Sequence, residues 1–402
     1  MLRPLGRSPI QRAVDIAMVL AQLFFNLLSL CGCGYYVLCL WSACQFLRKR
    51  AAVVPSDFTP PVSFLKPLKG MDPEIYASLR SHCLFDYPEY EIIFGANSAD
   101  DPAVASVEQL QREFPGHPMK LVVCPEILGG NRKVSSLIQM LPHARYEHLL
   151  VNDSDIRVET DYLRRVVAPL QDTGVGIVTC LYRGIAGGTL GSRLEAIGIS
   201  TDFCGGVLSA IQIENGIHFG LGSTLVFRRA DLQTAGGFEA LADYLADDYE
   251  LGQRLSHGKL RGHLSEVVVE TFLPACTLHA FLDHQLRWAR SVRDSRGWGY
   301  LGVALTFGLP WSLLALVFNP IAWWSWLVFG FTLGLRMRMA WVLGVRVAQD
   351  RQVPRYFWLI PLRDIAALLI WAAGYLGTTV VWRGDRFLLK QGKLTRLTDK
   401  PV

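Results

Sequence analysis

The sequence predicts an α/β fold, a mostly parallel sheet with helices on both faces, set between membrane-spanning segments. Three observations predict it. Between Val62 and about Trp298, short apolar runs suited to buried strands alternate with helix starts. Both ends of the chain are long apolar stretches, and 51% of the 402 residues are hydrophobic, too many for a soluble enzyme of this size. Acidic pairs recur where strands end or helices begin. The expected organisation is a membrane anchor over residues 1–50, an α/β domain over 51–300, and a membrane region with a basic tail over 301–402.

In chain order, Ile16 to Trp41 is apolar over a length that crosses a hydrocarbon core of roughly 30 Å. It is too long for a signal peptide and lacks an A-x-A-like cleavage site. Arg48, Lys49 and Arg50 follow it, but Arg3, Arg7 and Arg12 precede it, so loop charge does not orient it. Pro55, Pro60 and Pro61 mark a linker. Strands are expected at Val62–Leu65, Glu91–Gly95, Lys120–Cys124, His148–Val151 and Gly176–Thr179, with helix starts at Asp72-Pro73-Glu74 and Asp101-Pro102. Leu301–Phe318, Pro320–Leu335 and about Tyr356–Val381 are apolar again, with a turn at Asn319-Pro320. Arg363 and Asp364 are costly in hydrocarbon, so the last stretch is either an interfacial helix and a span or a tilted span with a buried ion pair. Arg383, Arg386, Lys390 and Lys393 form the basic tail and suggest a cytoplasmic C-terminus.

A net charge of +5, with no basic run interleaved with aromatics, excludes a nucleic-acid partner. The nine cysteines show no C-x-x-C spacing, and Cys31, Cys33, Cys39 and Cys44 crowd one apolar segment. Neither zinc nor a disulfide framework is indicated, which fits a reducing compartment.

The chemistry concentrates in three acidic segments. Asn152-Asp153-Ser154-Asp155 follows the run His148–Val151, at the end of a strand where open α/β sheets place ligands. Two carboxylates so spaced can hold Mg²⁺ or Mn²⁺ while diphosphate oxygens and water complete its shell. Alone, an Asx-turn or N-cap explains them equally well. Asp101 is well placed as an N-cap, and Asp247-Asp248-Tyr249-Glu250 gives an ordinary acidic first turn. Their joint occurrence with Gly222-Ser223, Gly236-Gly237-Phe238 and Arg287-Trp288 is what points to a site.

Together these segments resemble the processive-type inverting glycosyltransferases of the GT-A fold, whose signature is D, D-x-D, D and Q-x-x-R-W, and specifically the ceramide glucosyltransferase branch. The resemblance covers roughly residues 62–290 plus the membrane ends. It implies a Rossmann-like GT-A domain on the cytoplasmic side of a multi-pass membrane protein. It further implies a UDP-hexose donor, Mg²⁺ or Mn²⁺, and a membrane lipid acceptor. By that resemblance Asp101 contacts the nucleotide, Asp153 and Asp155 hold metal and diphosphate, and Asp248 is the catalytic base. Lys66, in the segment Val62–Gly70, and Lys133 fall near the nucleotide, and Gly222 and Ser223 line the acceptor side. Arg287 stabilises the departing UDP, and Trp288 closes over the sugar or acceptor mouth, unless it is simply a packed interfacial aromatic.

Two positions depart from the pattern. His284 replaces the first glutamine of Q-x-x-R-W, where an imidazole can still donate to a diphosphate oxygen. Asp155 stands where ceramide-specific members often carry glycine, and their acceptor-region histidine is missing around Thr201-Asp202. Bacterial hopanoid-biosynthesis glycosyltransferases are similar in length, layout and the intact D-S-D, which shifts the expected acceptor toward a hopanoid-like lipid in a bacterial inner membrane. Another lipid such as diacylglycerol, or a non-catalytic nucleotide-sugar-binding protein, is the alternative.

Overall fold

The computed structural model describes residues 9–382 and 385–397. Arg3, Arg7 and Arg383 lie outside the described residues, as does the side chain of Arg12. The eight strands of the main sheet are β1 (Val62–Leu68), β2 (Tyr90–Ala96), β3 (Met119–Val123), β4 (His148–Val151), β5 (Ile156–Arg157), β6 (Val175–Ile185), β7 (Leu225–Arg228) and β8 (Arg261–Phe272). Their order is β3-β2-β1-β4-β7-β6-β8-β5. β1, β2, β3 and β4 run parallel, β7 runs against β4 and β6, and β6 is parallel to β8. All five expected strands are present, and the fold is the expected mostly parallel α/β sheet.

Alternation along the strands explains why both faces are covered. Leu149 and Val151 of β4 enter one apolar cluster with Leu65 and Ile93, whereas Leu150 enters another with Phe64 and Ile92. Because β1 pairs with β2 on one side and β4 on the other, the chain order reverses at β1. A crevice opens beyond the carboxyl ends of the strands at such a switch point.

Several local expectations change. Asp101 accepts a hydrogen bond from the Ala103 N–H at 3.0 Å, as an N-terminal cap should. Asp72 does not cap: its helix begins only at Ile75, behind Glu74 in a left-handed conformation (φ 54°), and its carboxylate accepts from the Ser154 hydroxyl. The tail beyond Thr378 is not simply a basic extension. It folds into an antiparallel sheet of β9 (Thr379–Trp382), β10 (Asp385–Lys390) and β11 (Lys393–Arg396).

Among the described residues four helices are long and apolar enough to cross a membrane: Pro9–Ala51, Leu190–Ile213, Trp323–Val347 and Val353–Gly374. Much of Leu190–Ile213, which lies within the stretch read as globular, is buried in the protein. Leu301–Phe318 is not one straight helix; segments Trp298–Thr306 and Gly308–Phe318 meet at 60°. The Gly308–Phe318 segment lies against the first helix, where Gly32 and Gly308 bring the two backbones into contact. Asp364 does sit in a buried ion pair, but its partner is Arg336 of the preceding helix. Arg336 donates to both Asp364 oxygens, at 2.8 and 2.7 Å, and also to Asp202. Arg363 instead donates to Gln285 at 2.8 Å.

Candidate active site

The D-x-D loop is held from behind by the end of β1. Lys66 is fully buried, and its ammonium donates to Asn152 Oδ1 at 2.8 Å and to the Asp153 carbonyl at 3.0 Å. Asn152 donates to His82 Nε2 at 2.9 Å, and His82 Nδ1 in turn donates to the Ser78 carbonyl. Burial, aided by Lys66, pushes His82 well below the ordinary histidine value, so the imidazole is neutral. Burial also lowers Lys66 to about 7, against the pull of Asp155, Asp153 and Asp72. The Lys66 hydrogen bonds shape the loop that carries Asp153, which sets Lys66 beneath the expected nucleotide site.

Asn131 begins the Arg132–Met140 helix, accepting from the Val134 N–H at 3.2 Å and donating to Asp247 Oδ1 at 3.1 Å. That fixes Lys133, whose Nζ lies 2.7 Å from Asp153 and 3.4 Å from Asp247. Burial opposes the Lys133 charge, but Asp153, Asp247 and Asp248 outweigh it and raise its pKa above the ordinary value. Asp248 opens the Asp247–Leu255 helix; its Oδ2 accepts from the Gly222 N–H and its Oδ1 from the Tyr249 N–H, both at 2.8 Å. Burial and the neighbouring Asp247 raise it to about 6, with Lys133 opposing.

Gly222 is the point where these groups converge. A Cβ there would stand 3.0 Å from Asp153, 3.2 Å from Asp248 and 3.7 Å from the Lys133 nitrogen. Gly222→Ala is expected to keep the fold, as judged by circular dichroism, and to lower turnover by about 10²-fold by displacing both carboxylates.

Asp155 accepts from the Thr271 hydroxyl at 2.6 Å, and burial together with Asp153 raises it to about 6. Among the described residues no group of three or more His, Cys, Asp or Glu side chains gathers around a metal position. Two carboxylates suit Mg²⁺, which is usually bound by one or two carboxylates with substrate phosphates and water. The donor set fits a hard cation that arrives with a diphosphate.

Asp153 and Lys133 line an open cleft. Its other walls include Leu68, Lys69, Asn97, Arg132, Trp382 and Phe387. Asp101 is set back from it: its carboxylate accepts from the Gly70 N–H at 2.9 Å and so anchors the turn after Lys69. The sequence reading missed Asn97, Trp382 and Phe387; Asn97 carried a signal as a polar residue just after β2, and Phe387 through its alternation with Leu389 along β10.

The Leu278–Arg296 helix carries the remaining predicted residues. His284 donates to Glu195 at 2.5 Å. Trp288 stands 5.1 Å from the His284 ring and 6.3 Å from Phe203, which is 4.9 Å from Tyr182. Burial raises Tyr182 well above the ordinary value, with Asp248 and Asp153 adding to the effect, so this aromatic run reaches toward the carboxylates. Arg287 is partly buried on the same helix. His284, Arg287 and Trp288 are not among the residues that line the cleft.

A switch-point cleft edged by carboxylates is where an open α/β sheet of this order takes its ligand. The sequence model of glycosyl transferase family 21 matches residues 24–395, and the chain belongs to that family. It is 25% identical over 399 residues to ceramide glucosyltransferase 1 of Caenorhabditis elegans, covering 92% of this chain and 81% of the relative. Ceramide glucosyltransferase 3 of the same organism is 25% identical over 369 residues, with 86% and 76% covered. Among solved structures, a mannosyltransferase from Pyrobaculum calidifontis in complex with GDP-Man and Mn²⁺ has the same fold. Its TM-score is 0.50 at 21% identity, over 89% of this chain and 97% of that one.

Proposed function

We propose that the protein is an inverting glycosyltransferase that moves a hexose, glucose or N-acetylglucosamine, from a UDP-sugar to a hydroxyl of a membrane lipid. The observation that carries this reading is the meeting of Asp153, Lys133 and Asp248 around Gly222, at the edge of the cleft and next to an aromatic run leading to the apolar helices. Asp248, aimed by two backbone N–H groups, takes the proton of the acceptor hydroxyl. The acceptor oxygen bonds to the anomeric carbon from one face as the bond to the β-phosphate oxygen breaks on the other. The configuration inverts, and the electron pair leaves with UDP. Mg²⁺ or Mn²⁺ held by Asp153 and Asp155, when bound, supplies positive charge beside the departing diphosphate. Lys133 orients Asp153 from the protein side, and Lys66 fixes the loop beneath it.

Nine free cysteines fit a reducing, cytoplasmic setting, where UDP-sugars are made. The relatives' names favour a lipid acceptor, and the intact Asp155 favours a hopanoid-like polyol alongside a ceramide-like one. Membranes containing the protein are expected to release UDP from UDP-glucose or UDP-N-acetylglucosamine only when both the divalent ion and a lipid acceptor are added. Mass spectrometry of reactions with ceramide, diacylglycerol and hopanoid polyols identifies the product. Binding of UDP-sugar with no product for any lipid would sink the enzymatic reading.

A further inference from the structure

We propose that the C-terminal sheet β9–β11 forms the far wall of the nucleotide cleft, with Trp382 and Phe387 taking the face of the donor's base. The inference rests on the reading that the cleft holds a nucleoside diphosphate. Trp382, Asp385 and Phe387 share the cleft with Leu68, Lys133 and Asp153, although more than 200 residues of chain separate the two sets. The lining is mixed in character: Lys69, Arg132, Lys133, Asp153 and Asp385 bring charge, and Pro67, Leu68, Trp382 and Phe387 bring apolar and aromatic surface. A nucleoside diphosphate combines the same two characters, charged phosphates and a flat, weakly hydrated base. Stacking on an aromatic face strengthens the binding of such a base by about tenfold or more.

The sheet is built in, not draped over. Phe387 packs with Leu245, Val380, Leu389 and Leu394 in a small core of its own, with Trp382 against it. Leu394 donates to the Asp243 carbonyl at 2.7 Å, and Leu245 donates to the Gly392 carbonyl at 2.9 Å, tying the sheet to the loop that leads into Asp248. Gly130 comes so close to Leu394 that a Cβ would stand 2.8 Å from its carbonyl oxygen. On the other flank Arg290 donates to the Thr379 carbonyl at 2.6 Å and Arg293 to the Gly377 carbonyl at 3.0 Å. The same wall therefore joins the base-binding end of the cleft to the loop before Asp248 and to the helix that carries Arg287 and Trp288.

The test is calorimetry on the full-length protein in detergent with Mg²⁺, comparing UDP with inorganic pyrophosphate. Trp382 is only half-buried, so its variants are expected to fold. Trp382→Ala is expected to weaken UDP by about tenfold or more and leave pyrophosphate unchanged, with Trp382→Tyr restoring most of the loss. Phe387→Leu, which keeps most of the core volume, is expected to act in the same direction. Lys133→Ala serves as the control and should weaken both ligands. If Trp382→Ala binds UDP as tightly as the parent while Lys133→Ala does not, the sheet is not the base wall, and the nucleotide reading of the cleft stands. If the parent protein prefers pyrophosphate to UDP or binds neither, the nucleotide reading falls and this inference with it.

Discussion

Asparagine in place of Asp248 is expected to lower turnover by about 10²–10⁴-fold while UDP still binds, because the variant loses a proton acceptor but keeps the shape of the side chain. The amide oxygen can keep one of the two backbone N–H groups, Gly222 or Tyr249, that the two carboxylate oxygens now serve, and its NH2 then faces the other. The pH profile gives a second readout. Burial and Asp247 raise Asp248 from 3.8 to about 6, and the base works only when ionised, so kcat/KM should fall below about pH 6 and level off above it. The sign for stability runs the other way. A carboxyl whose folded value is raised contributes most below its unfolded value and loses that contribution as pH rises through about 6. The thermal midpoint of Asp248→Asn, taken relative to the parent, should therefore be higher at neutral pH than near pH 4. Full turnover in the variant would remove Asp248 from the role of base.

Arg336→Met is expected to destabilise the protein by roughly 3–5 kcal/mol, the scale for breaking a buried pair on one side. The guanidinium is 2% exposed and serves both Asp364 and Asp202, so its loss strands two carboxylates among apolar helices. Adding Asp364→Leu removes the more buried of the stranded charges and should recover most of the loss. Thermal unfolding in detergent measures both. Equal destabilisation in the single and double variants would mean that lost packing of the Arg336 stem, and not the stranded charge, sets the cost.

Much of the sheet was legible because its signal is local. His148-Leu149-Leu150-Val151 reads as a strand whatever surrounds it, and the acidic loop after it follows from the rule that ligands gather at strand ends. The site itself depends on contacts between distant segments. Nothing near Lys66 shows that it lies beneath Asn152 rather than against a ligand, since burial of a lysine is decided by segments 86 residues apart. Gly222 was recognisable as a small residue, but its position between Asp153 and Asp248 appears only once β7 and the Asp247–Leu255 helix are brought together.

The C-terminal sheet is a different case, because its signal was present and masked by charge. Lys390-Gln391-Gly392-Lys393 is a two-residue hairpin with positive φ at both Gln391 (52°) and Gly392 (75°), and Phe387 and Leu389 alternate inward along β10. Read for net charge, the same residues look like a solvated basic tail. Period-two alternation would have identified the strand.

The first helix has a further consequence. Its 43 residues extend about 65 Å, roughly twice the thickness of a hydrocarbon core, so a long stretch of it would project beyond a bilayer that it spanned. At its end Arg50 donates to the carbonyls of Glu266, Arg346 and Val347, joining that projection to the sheet domain and to a second apolar helix. On the proposed reading, with the first helix spanning a bilayer, the cleft is carried at a set height above it, like a tool on a fixed arm. An amphiphile of the proposed kind reaches it by lateral diffusion and never leaves the leaflet, and the concentration that governs its encounter is a surface density rather than an amount per volume.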